Sequence, residues 1–146
     1  MLAQRLIHPP LLAALAAAGH GSTVLLADAN YPHSTGARAG APIVHLNFRP
    51  GQIAADDVLS VLIETIPVEA ANVMQPEGGA DPAIFTAFRA LLPAVELQPL
   101  SRAAFYAAAR GPDLAVVIAT GDQRLFANLL LTVGVVAPDT AGKESS

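Results

Sequence analysis

Along this chain, short and nearly continuous apolar runs alternate with segments whose apolar residues recur at helical spacing. The runs 23–27, 43–48, 68–74, 95–97, 114–119 and 128–136 have the length of strands. A strand that is apolar on both faces must be covered on both sides. Between them, Val58, Leu59, Leu62, Ile63 and Ile66 trace one helical face, with Asp56 and Asp57 placed favourably in its first turn and Pro67 at its end. Asp81-Pro82 reads as an N-cap followed by proline, opening a helix that buries Ile84, Phe85, Phe88, Leu91 and Leu92 before Pro93 stops it. Pro9-Pro10 opens another helix, carried by Leu11, Leu12 and Leu15, with Gly19 expected to end it in left-handed geometry. Ser101 caps a fourth, running to about Arg110, where Gly111-Pro112 breaks it.

This alternation predicts an α/β fold: a mostly parallel central sheet flanked by helices. The loops are marked by breakers at 30–42 and 75–79. With 146 residues, no internal repeat and no long linker, the chain reads as one domain, large enough to bury a core. That domain is expected to span residues 1–136, followed by a mobile tail at 137–146.

Composition adds an expectation about assembly. Hydrophobic residues make up 53% and charged residues only 14%, against the usual 25% or so charged. So little charge covers a monomer's surface poorly, which points to a homo-oligomer. The formal charge is −4, and the single lysine and seven arginines form no basic stripe, so no nucleic-acid partner is expected. Cysteine is absent, which removes disulfides, thiolate metal sites and cysteine nucleophiles. Arg5 followed by the apolar run 11–18 superficially copies a signal peptide, but Pro9-Pro10 interrupts it. No run reaches the ~18 apolar residues of a membrane span. The expected setting is cytoplasmic, away from the membrane.

The candidate chemistry is sparse. His20 lies between Gly19 and Gly21, and Asp28 follows the apolar run 23–27. If that run is a strand, the two stand far apart unless the glycines fold the turn back. A histidine just past a helix C-terminus is favoured in its protonated form and can act as a general acid; it can equally be a helix-ending residue bonded to a carbonyl. In open α/β sheets ligands collect beyond the carboxyl ends of the strands. Asp28 with its loop, Thr120-Gly121-Asp122 and the approach to Asn128 fall near such ends. Arg102 in the first turn of its helix opposes the helix dipole, which suggests another use for its charge; Tyr106, four residues on, reads equally as core. His8, His20, His33 and His45 lack ligand spacing, so no metal is expected. Ser22, Ser34 and Ser60 sit in no nucleophile elbow, and no dinucleotide or Walker fingerprint occurs.

Four blocks together resemble the RbsD/FucU family of sugar mutarotases and pyranases: Gly19-His20-Gly21; Leu26 through Pro32 (LADANYP); Arg102 through Tyr106 (RAAFY); and Thr120-Gly121-Asp122 with Phe126-Ala127-Asn128. The similarity runs to about residue 136. It implies a three-layer α/β/α fold and the interconversion of anomers, or of pyranose and furanose rings, of a free monosaccharide such as L-fucose or D-ribose, without a cofactor. It also implies rings of subunits stacked into decamers, with sites near subunit contacts. The family's proton-donor histidine falls on His20, its sugar-binding aspartate on Asp28, and its binding loop on Phe126, Ala127 and Asn128. Arg102 and Tyr106 resemble the fucose branch. The departure is Phe126, where the family usually carries tyrosine.

The chemistry expected on this reading delivers a proton to the ring oxygen from protonated His20 and removes one from the anomeric hydroxyl; Asp28 orients His20 or accepts bonds from the sugar hydroxyls, while Arg102 and Asn128 fix the pose. The alternatives are a non-catalytic monosaccharide-binding or transport-associated protein, which Phe126 favours, and a purely structural oligomeric module.

Overall fold

A computed structural model describes residues 1–139 of the chain. The tail expected at 137–146 lies outside the described residues from position 140 onward. Among the described residues, four helices and six strands follow one another as α1 (Pro9–Ala17), β1 (Thr23–Ala27), β2 (Ile43–His45), α2 (Ala55–Leu62), β3 (Val68–Met74), α3 (Ile84–Leu91), β4 (Leu97–Leu100), α4 (Arg102–Ala109), β5 (Leu114–Ala119) and β6 (Leu129–Val133). The strands form one sheet in the order β2-β5-β1-β6-β3-β4.

Pairing is parallel between β2 and β5, β5 and β1, and β3 and β4. β6 runs antiparallel between β1 and β3, joining the two parallel groups. Its direction follows from chain length: the loop from β5 to β6 is too short for a crossover, which needs a dozen or more residues. β6 therefore starts at the end of the sheet where β5 stops.

Both sheet faces are covered, as the apolar runs require. Along β1, Val24 and Leu26 enter one core with Leu11, Leu59, Phe85 and Phe88 from α1, α2 and α3. Leu25 and Ala27 enter the other, built with Phe105 and Ala109 of α4 and with Tyr31 and Ala37 from the loop after β1. Period-two alternation thus splits one apolar strand between two layers.

Several local expectations need correction. α1 ends at Ala18 in extended conformation, and Gly21, not Gly19, takes the left-handed φ of 85°. Its start is capped by His8, whose Nδ1 accepts from the Leu11 N–H at 3.3 Å. Asp81 does not cap α3, because Arg89 (2.7 Å) and Gln75 (3.2 Å) bind its carboxylate; Ala83 holds the cap position. β2 stops at His45, since residues 46–53 turn back on themselves and against Gly121, where a Cβ would lie 1.9 Å from the Gln52 carbonyl. β4 begins at Leu97 because the Val95 N–H closes the turn after α3 on the Leu92 carbonyl.

Candidate active site

The topology gathers five chain segments at one end of the sheet. β1, β3, β4 and β5 finish there and β6 begins there, so Asp28, Met74, the start of α4, Thr120-Gly121-Asp122 and Asn128 converge. A cavity of about 110 Å³ opens at this end, lined by Asp28, Asn30, Tyr31, Met74, Arg102, Tyr106, Leu125, Phe126 and Asn128.

Its polar floor is a reciprocal pair. The Asp28 N–H donates to Asn128 Oδ1 at 2.8 Å, and Asn128 Nδ2 donates to Asp28 Oδ2 at 3.1 Å. The backbone donor settles which end of the carboxamide is oxygen, and leaves one Nδ2 hydrogen unclaimed by Asp28. Asp28 Oδ1 accepts from the Asn30 N–H at 2.9 Å, and His33 Nε2 donates to the Asp28 carbonyl at 2.9 Å. Burial pushes the Asp28 carboxyl above the ordinary carboxylate range; the N–H groups of Asn30 and Tyr31, Asn128 and the nearby His33 pull it down without cancelling that effect.

The walls are aromatic. The Tyr31 and Tyr106 rings lie 5.3 Å apart, and the Tyr31 hydroxyl donates to the Gly36 carbonyl. Burial, with Tyr106 adding to it, raises the Tyr31 phenol and keeps it protonated at neutral pH. Arg102 lies 5.9 Å and Arg110 5.4 Å from the Tyr106 ring centre, and Arg110 is tied to the Thr35 carbonyl at 3.0 Å. Phe126 is the one non-glycine residue with positive φ (62°) among the described residues. A bulky side chain in that conformation is a strained placement, kept where the surroundings hold it.

Behind the floor, Thr120-Gly121-Asp122 braces the loops. Thr120 Oγ1 donates to the Ala27 carbonyl at 2.7 Å, and the Asp122 carbonyl accepts from the Ala29 N–H at 2.8 Å. The Asp122 carboxylate accepts from the Ala55 N–H at the start of α2 (2.8 Å) and from Arg124 (2.6 Å). Burial alone would raise this carboxyl, but Arg124 and the backbone donors of Ala55 and Arg124 outweigh it and hold it below the ordinary range.

Asp28, Arg102, Tyr106, Phe126 and Asn128 thus meet in one cavity. Ala127 does not line it; its side chain is fully buried in the core. His20 is at the opposite end of β1. The glycines do not fold the turn back, and the extended strand leaves His20 and Asp28 about 25 Å apart within one chain. The imidazole is exposed, its Nε2 lying 3.1 Å from the Glu69 carboxylate. Sequence reasoning missed Asn30, Tyr31, Met74 and Leu125 as lining residues. Asn30 and Tyr31 stand in the LADANYP block, and Met74 ends a strand in the same direction as Asp28. Leu125 carried no such signal.

A carboxylate and a carboxamide on the floor, aromatic faces on the walls and a cation at the rim can hold a small polyhydroxylated ring. Hydroxyls bond to the floor while C–H faces lie on the aromatics. Comparison with known proteins points the same way. Residues 1–136 match the RbsD / FucU transport protein family. The chain is 31% identical to the fucose mutarotase of Bos taurus over 91% of its length and 92% of that protein's. It is 34% identical to the D-ribose pyranase of Streptomyces avermitilis, over 86% and 91% respectively. The Bacillus subtilis RbsD structure, complexed with D-ribose, superposes with a TM-score of 0.82 at 26% identity, covering 94% of this chain and all of that one. The chain belongs to the RbsD / FucU family.

Proposed function

We infer that the chain is a monosaccharide mutarotase or pyranase, an isomerase that opens and recloses the ring of a free sugar such as L-fucose or D-ribose. The observation that carries this reading is the Asp28–Asn128 floor beneath aromatic walls, in a chain of a family whose members include fucose mutarotases and D-ribose pyranases. Arg102 and Tyr106 at the rim favour a fucose-like substrate, and the cytoplasm is its proposed setting.

Ring opening needs a proton on the ring oxygen and the loss of one from the anomeric hydroxyl. His20 donates the first. Asp28, whose burial raises its affinity for protons, accepts the second. The C1–O bond of the ring breaks, a carbonyl forms at C1, and reclosure on its other face returns both protons. General acid–base catalysis is worth about 10²–10⁴-fold. For a reaction that already proceeds in water, that range is enough.

His20 reaches this cavity from a second copy of the chain. One chain keeps the two groups at opposite ends of a strand. Phe48 (84% exposed), Leu125 (71%) and Val136 (78%) are apolar surface that a homo-oligomer, in the decameric form the resemblance implies, would cover. Leu125 lies on the cavity's own rim. Saturation-transfer NMR on a panel of free monosaccharides tests the reading. Faster anomer exchange for at least one sugar is expected. Affinity without acceleration would instead support a sugar-binding protein, the reading Phe126 favours by lacking a phenol. Absence of both would leave only a structural module.

A further inference from the structure

His20 and Glu69 meet on a platform built from three strand ends. The Gly21 N–H donates to the Val133 carbonyl and the Val133 N–H to the Ser22 carbonyl, both at 2.9 Å, so the turn carrying His20 is pinned to the end of β6. Across β6, Val68 pairs with Val133 and Ala70 with Thr132, which makes Glu69 the extra residue of a bulge in β3. Bulges re-aim a side chain and are enriched beside active sites. At Gly134 a Cβ would lie 3.3 Å from the Glu69 Cβ and 3.6 Å from its Oε2, so glycine leaves room for the carboxylate. Both Glu69 oxygens then face His20 Nε2, at 3.2 and 3.1 Å. An ion pair this exposed contributes little to folding, so stability does not account for the arrangement.

We propose that Glu69 is a positioning residue for His20: its carboxylate takes the Nε2–H, fixes the ring and leaves Nδ1 as the nitrogen that exchanges a proton with the sugar. This rests on the reading of His20 as proton carrier. In the forward step the Nδ1–H proton passes to the ring oxygen as the bond from C1 to that oxygen breaks, and the anomeric O–H proton passes to Asp28. Reclosure reverses both transfers, and Glu69 keeps the Nε2–H throughout. The logic is that of a histidine whose tautomer is set by the partner of its other nitrogen.

The test compares full-length wild type, Glu69→Ala, Glu69→Gln and His20→Ala, using anomer exchange of L-fucose and D-ribose and ¹⁵N ring shifts of labelled His20. Glu69→Ala is expected to lower turnover about 10–100-fold with KM little changed, the scale typical of lost orienting partners. Its neutral His20 becomes a mixture of tautomers. Glu69→Gln keeps an acceptor for Nε2–H, so it retains the wild-type tautomer and an intermediate rate. Wild-type turnover or an unchanged tautomer in Glu69→Ala, with His20→Ala inactive, overturns the proposal and leaves the reading of His20 standing. Wild-type exchange in His20→Ala overturns that reading, and the role of Glu69 with it.

Discussion

The two ends of the sheet are built to different standards. At the end where β1, β3, β4 and β5 finish, each buried polar side chain is held by at least two hydrogen bonds: Asp28 and Asn128 by one another and Asp28 also by Asn30, Asp122 by Ala55 and Arg124, Thr120 by the Ala27 carbonyl and the Asp122 N–H. At the other end His20 is exposed and meets one carboxylate. Under the proposed function, the difference separates two tasks. A binding floor must hold its geometry before the ligand arrives, and burial raises the cost of any unpaired group there. A proton carrier has to reach its partner and exchange with solvent, so exposure suits it.

Mutations should divide along the same line. The largest expected effect is on activity alone: His20→Ala should lower sugar-dependent anomer exchange by about 10²–10⁴-fold while leaving the melting temperature unchanged, measured by saturation-transfer NMR beside thermal unfolding. Asp122→Ala strands the Ala55 and Arg124 donors behind the floor, and should cost about 2–4 kcal/mol in denaturant unfolding. Asn128→Ala leaves the Asp28 N–H and one carboxylate oxygen unpaired, for about 1–3 kcal/mol, and should also abolish the thermal shift produced by a bound sugar. A stability loss in His20→Ala comparable to that of Asn128→Ala would erase the contrast between the ends.

The smallest effects lie in pH dependence, where the two buried carboxylates act with opposite sign. The raised Asp28 carboxyl contributes stability in acid and loses it as pH rises through its folded-state value. The cost of Asp28→Ala should therefore shrink as pH increases from the ordinary carboxylate range upward. Asp122 is held low, so its contribution is present above the ordinary range and is lost as pH falls through its folded-state value. The cost of Asp122→Ala should shrink toward acid. Parallel pH trends in the two variants would contradict these assignments.

What the sequence made legible follows from which forces act locally. Strands β1, β3 and β5 could be placed because their apolar runs are bounded by glycine, proline or polar residues, and Ser101 caps α4 as its chemistry suggests. Asp81 misled because Arg89, eight residues on in the last turn of the same helix, took its carboxylate from the local cap. Period-two patterning does not encode strand direction, so the antiparallel insertion of β6 needed the topology. Asp28, Asn128, Arg102 and Tyr106 were identified from their blocks, but 100 residues separate Asp28 from Asn128 and nothing local foretells their two hydrogen bonds. Glu69 escaped notice for the same reason: the bulge that turns it toward His20 exists only once β3 pairs with β6.

The central claim, that a working site takes His20 from one copy and Asp28 from another, is tested most directly by complementation. His20→Ala and Asp28→Ala chains, each inactive by itself, are co-expressed in equal amounts and purified as mixed oligomers. In a head-to-tail assembly about a quarter of the sites then pair an intact His20 with an intact Asp28, and anomer exchange should return to about that fraction of the wild-type rate. Mixed oligomers as inactive as either parent would contradict the account.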